Sequence, residues 1–128
     1  MPIVRVGTDL AQIGRMEEAY GRRGQRMLDR LFTPAEQAYC ERRAVTRFTH
    51  YAGRFAVKEA VMKVLGTGWT SGVRWVDIEV VRPPGGAPTC ELHGRSAEHA
   101  ARLGIERIHI TITHDAGIAS AVAVGESV

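Results

Sequence analysis

The hydrophobic residues of this 128-residue chain recur with two different periods, and each period predicts one class of secondary structure. Runs that alternate or are rich in β-branched residues indicate strands at 3–10, 73–81, 89–93, 107–113 and 118–124. Helical composition or spacing indicates helices at 11–20, 22–32, 33–43, 45–65 and 96–103. We expect the first helix to end at Gly21 and the third to begin at Thr33, where Glu36 completes a capping box. Because neighbouring strands pair locally in this order, the sequence predicts an α+β fold, with a mostly antiparallel sheet packed against a long central helix.

The predicted central helix, 45–65, carries hydrophobic residues on two of its faces. One stripe is formed by Phe48, Tyr51, Ala52, Phe55 and Met62, and the other by Val57, Val61 and Val64. A helix that is apolar on two sides is buried between two layers. Glycines at the end of the segment, in Gly66-Thr67-Gly68, are expected to stop it.

Composition and charge exclude several classes of protein. The chain is 45% hydrophobic and 24% charged, which is ordinary for a globular protein and excludes disordered and low-complexity classes. We expect one domain over 1–128. A net charge of +3 permits an acidic partner without requiring one. Cys40 and Cys90 lack the spacing of a zinc site or disulfide framework, and neither a signal peptide nor a bilayer-length apolar run is evident. We therefore expect a reduced cytoplasmic protein with no membrane association.

Glu59 interrupts the first apolar stripe of the central helix. A carboxylate in that position is costly unless a cation, a metal ion or hydrogen-bond donors compensate it. A salt bridge within the fold would explain it, and Lys63, four residues later, would then be its helical ion-pair partner. A functional role for the Glu59 carboxylate is the alternative. The neighbouring Lys58 points elsewhere, and we interpret it as a solvated charge.

Asp9 and His114 are also out of place in an apolar core. Asp9 ends the first strand beside Gly7, where it either caps the next helix or binds a hard cation such as Mg²⁺. His114 prolongs the strand-face row of Ile108, Ile110 and Ile112, so it is either a satisfied edge residue or a contact for an anionic ligand. The turn at Gly66 is either a helix cap or, beside Lys63, a set of backbone donors for phosphate.

Familiar nucleotide-binding, metalloprotease and serine-hydrolase motifs are absent from the sequence. Arginines are dense between Arg22 and Arg30, where they form either solvated helix faces or a surface for an acidic partner.

Three motifs, taken together, resemble the bacterial holo-[acyl-carrier-protein] synthases, the small 4′-phosphopantetheinyl transferases. They are Gly7-Thr8-Asp9-Leu10, the block Arg54 to Gly68 (RFAVKEAVMKVLGTG) and Ile110-Thr111-Ile112-Thr113-His114. The central block is highly specific, and the likeness covers nearly the whole chain in the right order. Three positions depart from the usual pattern: Val57 replaces Ala, and Thr111 and Thr113 stand where Ser is more frequent.

The resemblance implies a function and an assembly. It implies a homotrimer with active sites at the subunit interfaces, acting in fatty acid biosynthesis. The phosphopantetheine arm of coenzyme A would move to a serine hydroxyl of apo acyl carrier protein, releasing 3′,5′-ADP. Mg²⁺ would be the cofactor.

The resemblance also implies roles for particular residues. Asp9 and Glu59 match the metal ligands, and Lys63 matches the lysine at the phosphates. Gly66, Gly68 and His114 match the coenzyme A side of the site. Arg15 matches the position that meets the carrier protein. We expect Glu59 to act as the base for the serine proton, with Asp9 as second choice.

Two alternatives remain open from the sequence. The same chemistry on carrier domains of polyketide or peptide synthases differs only in the partner. A non-catalytic basic module for nucleic acid is the other, although Trp75 alone among the strand residues is a candidate for stacking on a base. The resemblance favours protein carriers and coenzyme A, with no nucleic acid as partner.

Overall fold

The fold is that of a computed structural model, which describes residues 2–68 and 72–128. Its helices are α1 (Ile13–Arg23), α2 (Gln25–Leu31), α3 (Pro34–Glu41), α4 (Arg47–Leu65) and α5 (Gly94–Arg102). Its strands are β1 (Ile3–Gln12), β2 (Ile78–Val81), β3 (Thr89–Leu92), β4 (Arg107–Asp115) and β5 (Ile118–Glu126). Single 3₁₀ turns lie at Ala44–Thr46 and Trp75–Asp77.

The strands form two antiparallel sheets, which confirms the predicted α+β class. One sheet has the order β1-β5-β4 and the other pairs β2 with β3. Helix α4 crosses the inner face of the larger sheet, where β5 presents Ala119, Ala121 and Ala123, all buried. These small side chains let the helix approach the sheet closely. Both predicted apolar faces of α4 contribute to the core, as its buried valines and Met62 show.

Several predicted boundaries were wrong, among them the start of α1 at Ile13 and the following three. Helix α1 continues through Gly21 and ends at Gly24, whose φ of 65° is a conformation that glycine adopts readily. The segment predicted as a strand from 73 forms strand only from Ile78, because the residues before it close a 3₁₀ turn. Helix α5 begins two residues before Ser96, whose buried hydroxyl donates to the main-chain oxygens of Asp77 and His93.

The start of α3 confirms one local prediction and corrects another. Thr33 and Glu36 form the predicted capping box. The same Glu36 carboxylate also binds the ammonium group of Lys58 at 2.9 Å, and neither side chain is exposed. Lys58 is therefore a buried charge, and its interpretation as a solvated one was wrong.

The outer face of the larger sheet is open to solvent in the single chain. Val6 and Leu10 of β1 are 61% and 67% exposed, and Ile118 and Val122 of β5 point the same way. These four hydrophobic side chains share the face with polar residues such as Thr8, Gln12 and Ser120. Among the described helices, none has the length and apolar character needed to cross a membrane.

Candidate active site

The candidate site forms where β1 meets α4. Gly7 faces the helix so closely that a Cβ atom there would lie 2.1 Å from the main-chain oxygen of Ala60. Only glycine permits this approach. Asp9 follows two residues later on the same face of β1, so the close contact also brings Asp9 to the helix.

Lys63 connects the strand and the helix. Its ammonium group donates to the main-chain oxygen of Thr8 at 2.8 Å and lies 3.4 Å from the Asp9 carboxylate. The lysine side chain is 56% exposed, whereas that of Asp9 is 20% exposed. Asp9 lies inside β1 and does not cap α1, whose first turn follows Gln12. The helix-capping explanation for Asp9 is thereby excluded.

Glu59 lies half-buried on α4, one turn before Lys63. Burial raises the pKa of its carboxyl group, the negative charge of Asp9 raises it further, and Lys63 opposes both effects. The ammonium group of Lys63 makes its close contact with Asp9, not with Glu59. Two carboxylates thus lie within the electrostatic reach of one partly exposed lysine.

A further cation, Arg5 of β1, lies at the turn that ends α4. Gly66 adopts the left-handed conformation (φ 72°), and its N–H donates to the carbonyls of Met62 and Lys63. Its role as a helix cap is therefore confirmed, and that N–H is already engaged. Gly68 also has a positive φ, 57°. The Arg5 guanidinium lies against Gly66, at the place where a Cβ would be.

Arg5 was not predicted as a site residue, although the alternation of side chains along a strand indicates it. Residues 5, 7 and 9 lie on the same face of a strand. Once Gly7 and Asp9 are placed toward the helix, Arg5 must face it as well.

His114 lies away from the Asp9 carboxylate. It ends the inner row of β4, pairs with Ala119 of β5, and is separated from β1 by that intervening strand. Two strand spacings amount to roughly 10 Å. The structure of the single chain therefore does not bring His114 together with Asp9, Glu59 and Lys63.

A second basic cluster includes His114, and its other members were not predicted from the sequence. Burial lowers the pKa of His50, and the charges of Arg54, Arg43 and His114 lower it further. Arg54 is only 4% exposed, and its guanidinium lies 4.0 Å from the centre of the Tyr39 ring. Its buried Nε atom has no hydrogen-bond partner among the described residues. The inner face of α4 thus contains a cationic region near the β4 end of the sheet.

A groove of about 880 Å³ runs beside α1 and α2. It is lined by five arginines, namely Arg15, Arg22, Arg23, Arg26 and Arg30. Its apolar lining includes Met16, Met27, Phe55 and Trp75. The dense arginines predicted from the sequence therefore face one cavity, together with Arg15, and the groove suits an acidic partner with apolar side chains.

A further group of possible metal ligands lies on the smaller sheet. The side chains of Glu79, Glu91 and His93 bring one ligand atom each within 4.8 Å of the others. Glu79 also accepts a hydrogen bond from the Thr33 hydroxyl and lies 3.1 Å from the His93 ring nitrogen. Glu79 and Glu91 lie on β2 and β3 and His93 directly follows β3, whereas the predicted ligands Asp9 and Glu59 lie on β1 and α4.

Comparison with known proteins places this arrangement in a family context. The sequence model of the 4′-phosphopantetheinyl transferase superfamily matches residues 5–121. The holo-[acyl-carrier-protein] synthase of Solibacter usitatus is 46% identical over 125 residues, covering 98% of this chain and 99% of that protein. The enzyme of the same name from Anaeromyxobacter dehalogenans (strain 2CP-1) is 46% identical over 127 residues, covering 97% and 96%.

Solved structures agree with the sequence comparisons. The Helicobacter pylori holo-[acyl-carrier-protein] synthase in complex with coenzyme A superimposes with a TM-score of 0.83. It is 32% identical in sequence, and the match covers 95% of this chain and all of the other. The β1–α4 cleft, the arginine-lined groove and the outer sheet face therefore lie on a backbone shared with that protein.

Proposed function

This chain belongs to the 4′-phosphopantetheinyl transferase superfamily, and from that premise we propose how its β1–α4 cleft works. Its close relatives are holo-[acyl-carrier-protein] synthases. The protein is an enzyme that transfers the 4′-phosphopantetheine group of coenzyme A to a serine hydroxyl of apo acyl carrier protein. The products are holo carrier protein and 3′,5′-ADP. The observation that carries the proposed site is the convergence of Asp9, Glu59 and Lys63.

Asp9 and Glu59 suit a Mg²⁺ ion. Carboxylate oxygens are the protein ligands that this ion prefers. Burial raises the pKa of Glu59 and the charge of Asp9 raises it further, so a bound cation would favour the ionised form of both carboxyl groups. Mg²⁺ held by these residues would neutralise charge on the pyrophosphate oxygens of coenzyme A. We include magnesium dependence in the proposal for this reason.

Lys63 acts at the phosphates. The Lys63 side chain is more than half exposed, and the hydrogen bond to the Thr8 carbonyl orients its ammonium group. A cation in that position stabilises the negative charge that develops on the departing 3′,5′-ADP. Arg5 adds a second cation beside Gly66. Because the Gly66 N–H is engaged in the helix cap, Gly66 and Gly68 contribute by keeping the turn free of side chains.

The transfer requires a base. The serine oxygen forms a bond to the phosphorus that bears the pantetheine arm, and the bond from that phosphorus to 3′,5′-ADP breaks. The ADP oxygen keeps the electron pair, and the serine proton passes to a carboxylate or to water. We assign this proton to Glu59, with Asp9 as second choice, because the Asp9 carboxylate already pairs with the Lys63 ammonium group.

His114 and assembly are linked in this proposal. We assign His114 to coenzyme A because it joins Arg54 and His50 in a basic region that suits a further phosphate. Within one chain that region lies across the sheet from Asp9. In a homotrimer with sites between subunits, His114 of one chain would lie close to Asp9 of its neighbour. The exposed Val6, Leu10 and Val122 of the outer sheet face offer an apolar surface for this assembly.

The arginine-lined groove is the proposed docking surface for the carrier protein. Arg15 lies on its wall, on the first helix after the strand that carries Asp9. An acidic helix with apolar side chains would place its charges against the arginines and its apolar face against Met16 and Phe55. We assign the protein to fatty acid biosynthesis in the cytoplasm on the basis of this carrier.

Intact-mass spectrometry of the carrier protein tests the proposal. The enzyme is mixed with coenzyme A, Mg²⁺ and apo acyl carrier protein, and in parallel with a carrier domain from a polyketide synthase. A gain of one phosphopantetheine unit on the first carrier, abolished by EDTA, is the expected result. A gain on the synthase domain alone would reassign the partner. No gain on either carrier would contradict the transferase function.

A further inference from the structure

Lys58 forms an ion pair that is entirely shielded from solvent. Its ammonium group lies 2.9 Å from the Glu36 carboxylate, and both side chains have no exposed surface. The second Glu36 oxygen accepts the N–H of Val80, and the first also accepts the N–H of Thr33. The Glu36 carboxylate therefore links three elements, because it accepts hydrogen bonds from the start of α3, from Lys58 of α4 and from Val80 of β2.

The remaining two protons of the Lys58 ammonium group bind main-chain oxygens. They are donated to the carbonyl of Trp75 at 3.0 Å and to that of Ile78 at 2.6 Å. All three donors of the lysine are thus used. Both carbonyls belong to the stretch that contains the 3₁₀ turn Trp75–Asp77 and the first residue of β2. Lys58 therefore fixes the main chain of this segment against the middle of α4.

Trp75 is the residue that this bond places beside the arginine-lined groove. Its indole stacks on the Phe55 ring, with centroids 5.0 Å apart and an angle of 20° between the planes. Both rings line the arginine-lined groove. Phe55 precedes Glu59 by four residues, so the two lie on the same face of α4, one turn apart. The stacked rings therefore line the same groove as the docking arginines, one helical turn along α4 from Glu59.

We propose that Lys58 is a positioning residue for the transfer: by holding the Trp75 carbonyl, it keeps the Trp75–Phe55 stack as the wall that orients the carrier protein toward Glu59. The inference rests on the proposed docking of the carrier in this groove. Lys58 itself touches neither substrate. Lys58 therefore affects the binding of the carrier protein and not that of coenzyme A, because the proposed coenzyme A contacts are made by other residues, among them Lys63 and His114.

Steady-state kinetics on three variants tests this role. Lys58→Met removes the bond to Trp75 and leaves a buried carboxylate unpaired, which by itself destabilises the fold. The double variant Glu36→Gln/Lys58→Met removes that unpaired charge and keeps a side-chain oxygen for the capping interactions. Glu36→Gln alone keeps the Lys58–Trp75 bond. The KM for apo carrier protein, the KM for coenzyme A and the melting temperature are measured for each.

We expect both Met variants to raise the KM for the carrier about tenfold or more, with the KM for coenzyme A within about twofold of the wild-type value. Glu36→Gln should keep a near-normal carrier KM although it melts at a lower temperature. The chain has two tryptophans, so Trp69→Phe leaves Trp75 as the only source of tryptophan fluorescence. In that background, the emission of Trp75 should shift to longer wavelength in the Met variants as the ring loses its packing.

Two results would overturn the inference. One is a carrier KM that follows melting temperature across all three variants, which is the behaviour of a purely structural ion pair. The other is an unchanged carrier KM in a folded double variant. Failure of the wild-type enzyme to modify the carrier would instead contradict the proposed function, so the two claims fail separately.

Discussion

Gly7 of β1 and Ala60 of α4 are in backbone contact so close that a methyl group on Gly7 would lie 2.1 Å from the Ala60 carbonyl oxygen. The contact fixes the separation between strand and helix. Asp9, on the same face of the strand, consequently reaches Lys63, and its charge acts on Glu59. The assembly of the candidate site between β1 and α4 thus depends on a position that has no side chain at all.

Gly7→Ala should therefore separate β1 from α4. A backbone oxygen has no alternative rotamer, so we expect a loss of about 3 kcal/mol in the free energy of unfolding and transfer activity reduced at least about tenfold. Urea denaturation and the transfer assay measure both. Gly21→Ala is the matched control, since nothing lies within 4 Å of a Cβ there and α1 continues through it. The free energy of unfolding of this control should rise by up to about 1 kcal/mol. Equal stability of the two variants would contradict the account.

Glu59→Gln should reduce transfer by at least about 100-fold, the usual contribution of a general base. It should not lower stability at neutral pH in the absence of metal. The pKa of Glu59 is raised in the folded state, so its favourable contribution exists below the unfolded pKa and is lost as pH rises through the folded value. Melting in EDTA should show the Gln variant at least as stable as wild type at pH 7. The difference should shrink or reverse near pH 4.

The exposed Glu98 supplies the control for that experiment. Glu98→Gln should leave the transfer rate unchanged. A fully active Glu59→Gln enzyme, or one that melts well below wild type at pH 7, would contradict the role assigned to Glu59.

Leu10→Glu should dissociate the proposed trimer. Leu10 is 67% exposed on the outer face of β1 in the single chain, and a charge there would be buried in the assembly. Light scattering should give the mass of one chain, and transfer activity should fall with it. Val45→Glu, at a fully exposed position outside the sheet, should leave the mass of three chains unchanged. A wild-type mass of one chain would contradict the trimer itself.

Arg15→Glu should weaken docking of the carrier protein. We expect the KM for the carrier to rise about tenfold or more, with the KM for coenzyme A unchanged, since Arg15 lies in the groove and not in the β1–α4 cleft. Arg102→Glu, an exposed charge reversal at the end of α5, controls for net charge. Equal effects of the two substitutions would indicate a non-specific attraction.

Local chemistry predicted much of this fold. The capping box at Thr33 and the stop at Gly66 depend on residues within one helical turn, and both were confirmed. Gly21 and Gly24 could not be distinguished in the same way. Both are glycines near a helix end, and only the packing of α1 and α2 determines which adopts the positive φ.

The candidate site was predictable to the extent that its residues violate a local pattern. Asp9 and Glu59 are carboxylates in apolar elements, so the sequence alone marks them. Lys58 carries no such signal, because Glu36 lies 22 residues away and meets it only in the folded chain. Arg54 and His50 were missed for the same reason, since their basic region exists only where α4 crosses β4.

The dependence of the transfer rate on Mg²⁺ concentration, measured for wild type, Asp9→Asn and Glu79→Gln, tests the central claim most directly. If Asp9 and Glu59 hold the ion, Asp9→Asn should require much more Mg²⁺ or show no transfer. Glu79→Gln, which alters the other group of possible ligands on β2 and β3, should match wild type. A normal magnesium dependence in Asp9→Asn, together with a loss of transfer in Glu79→Gln, would contradict the account.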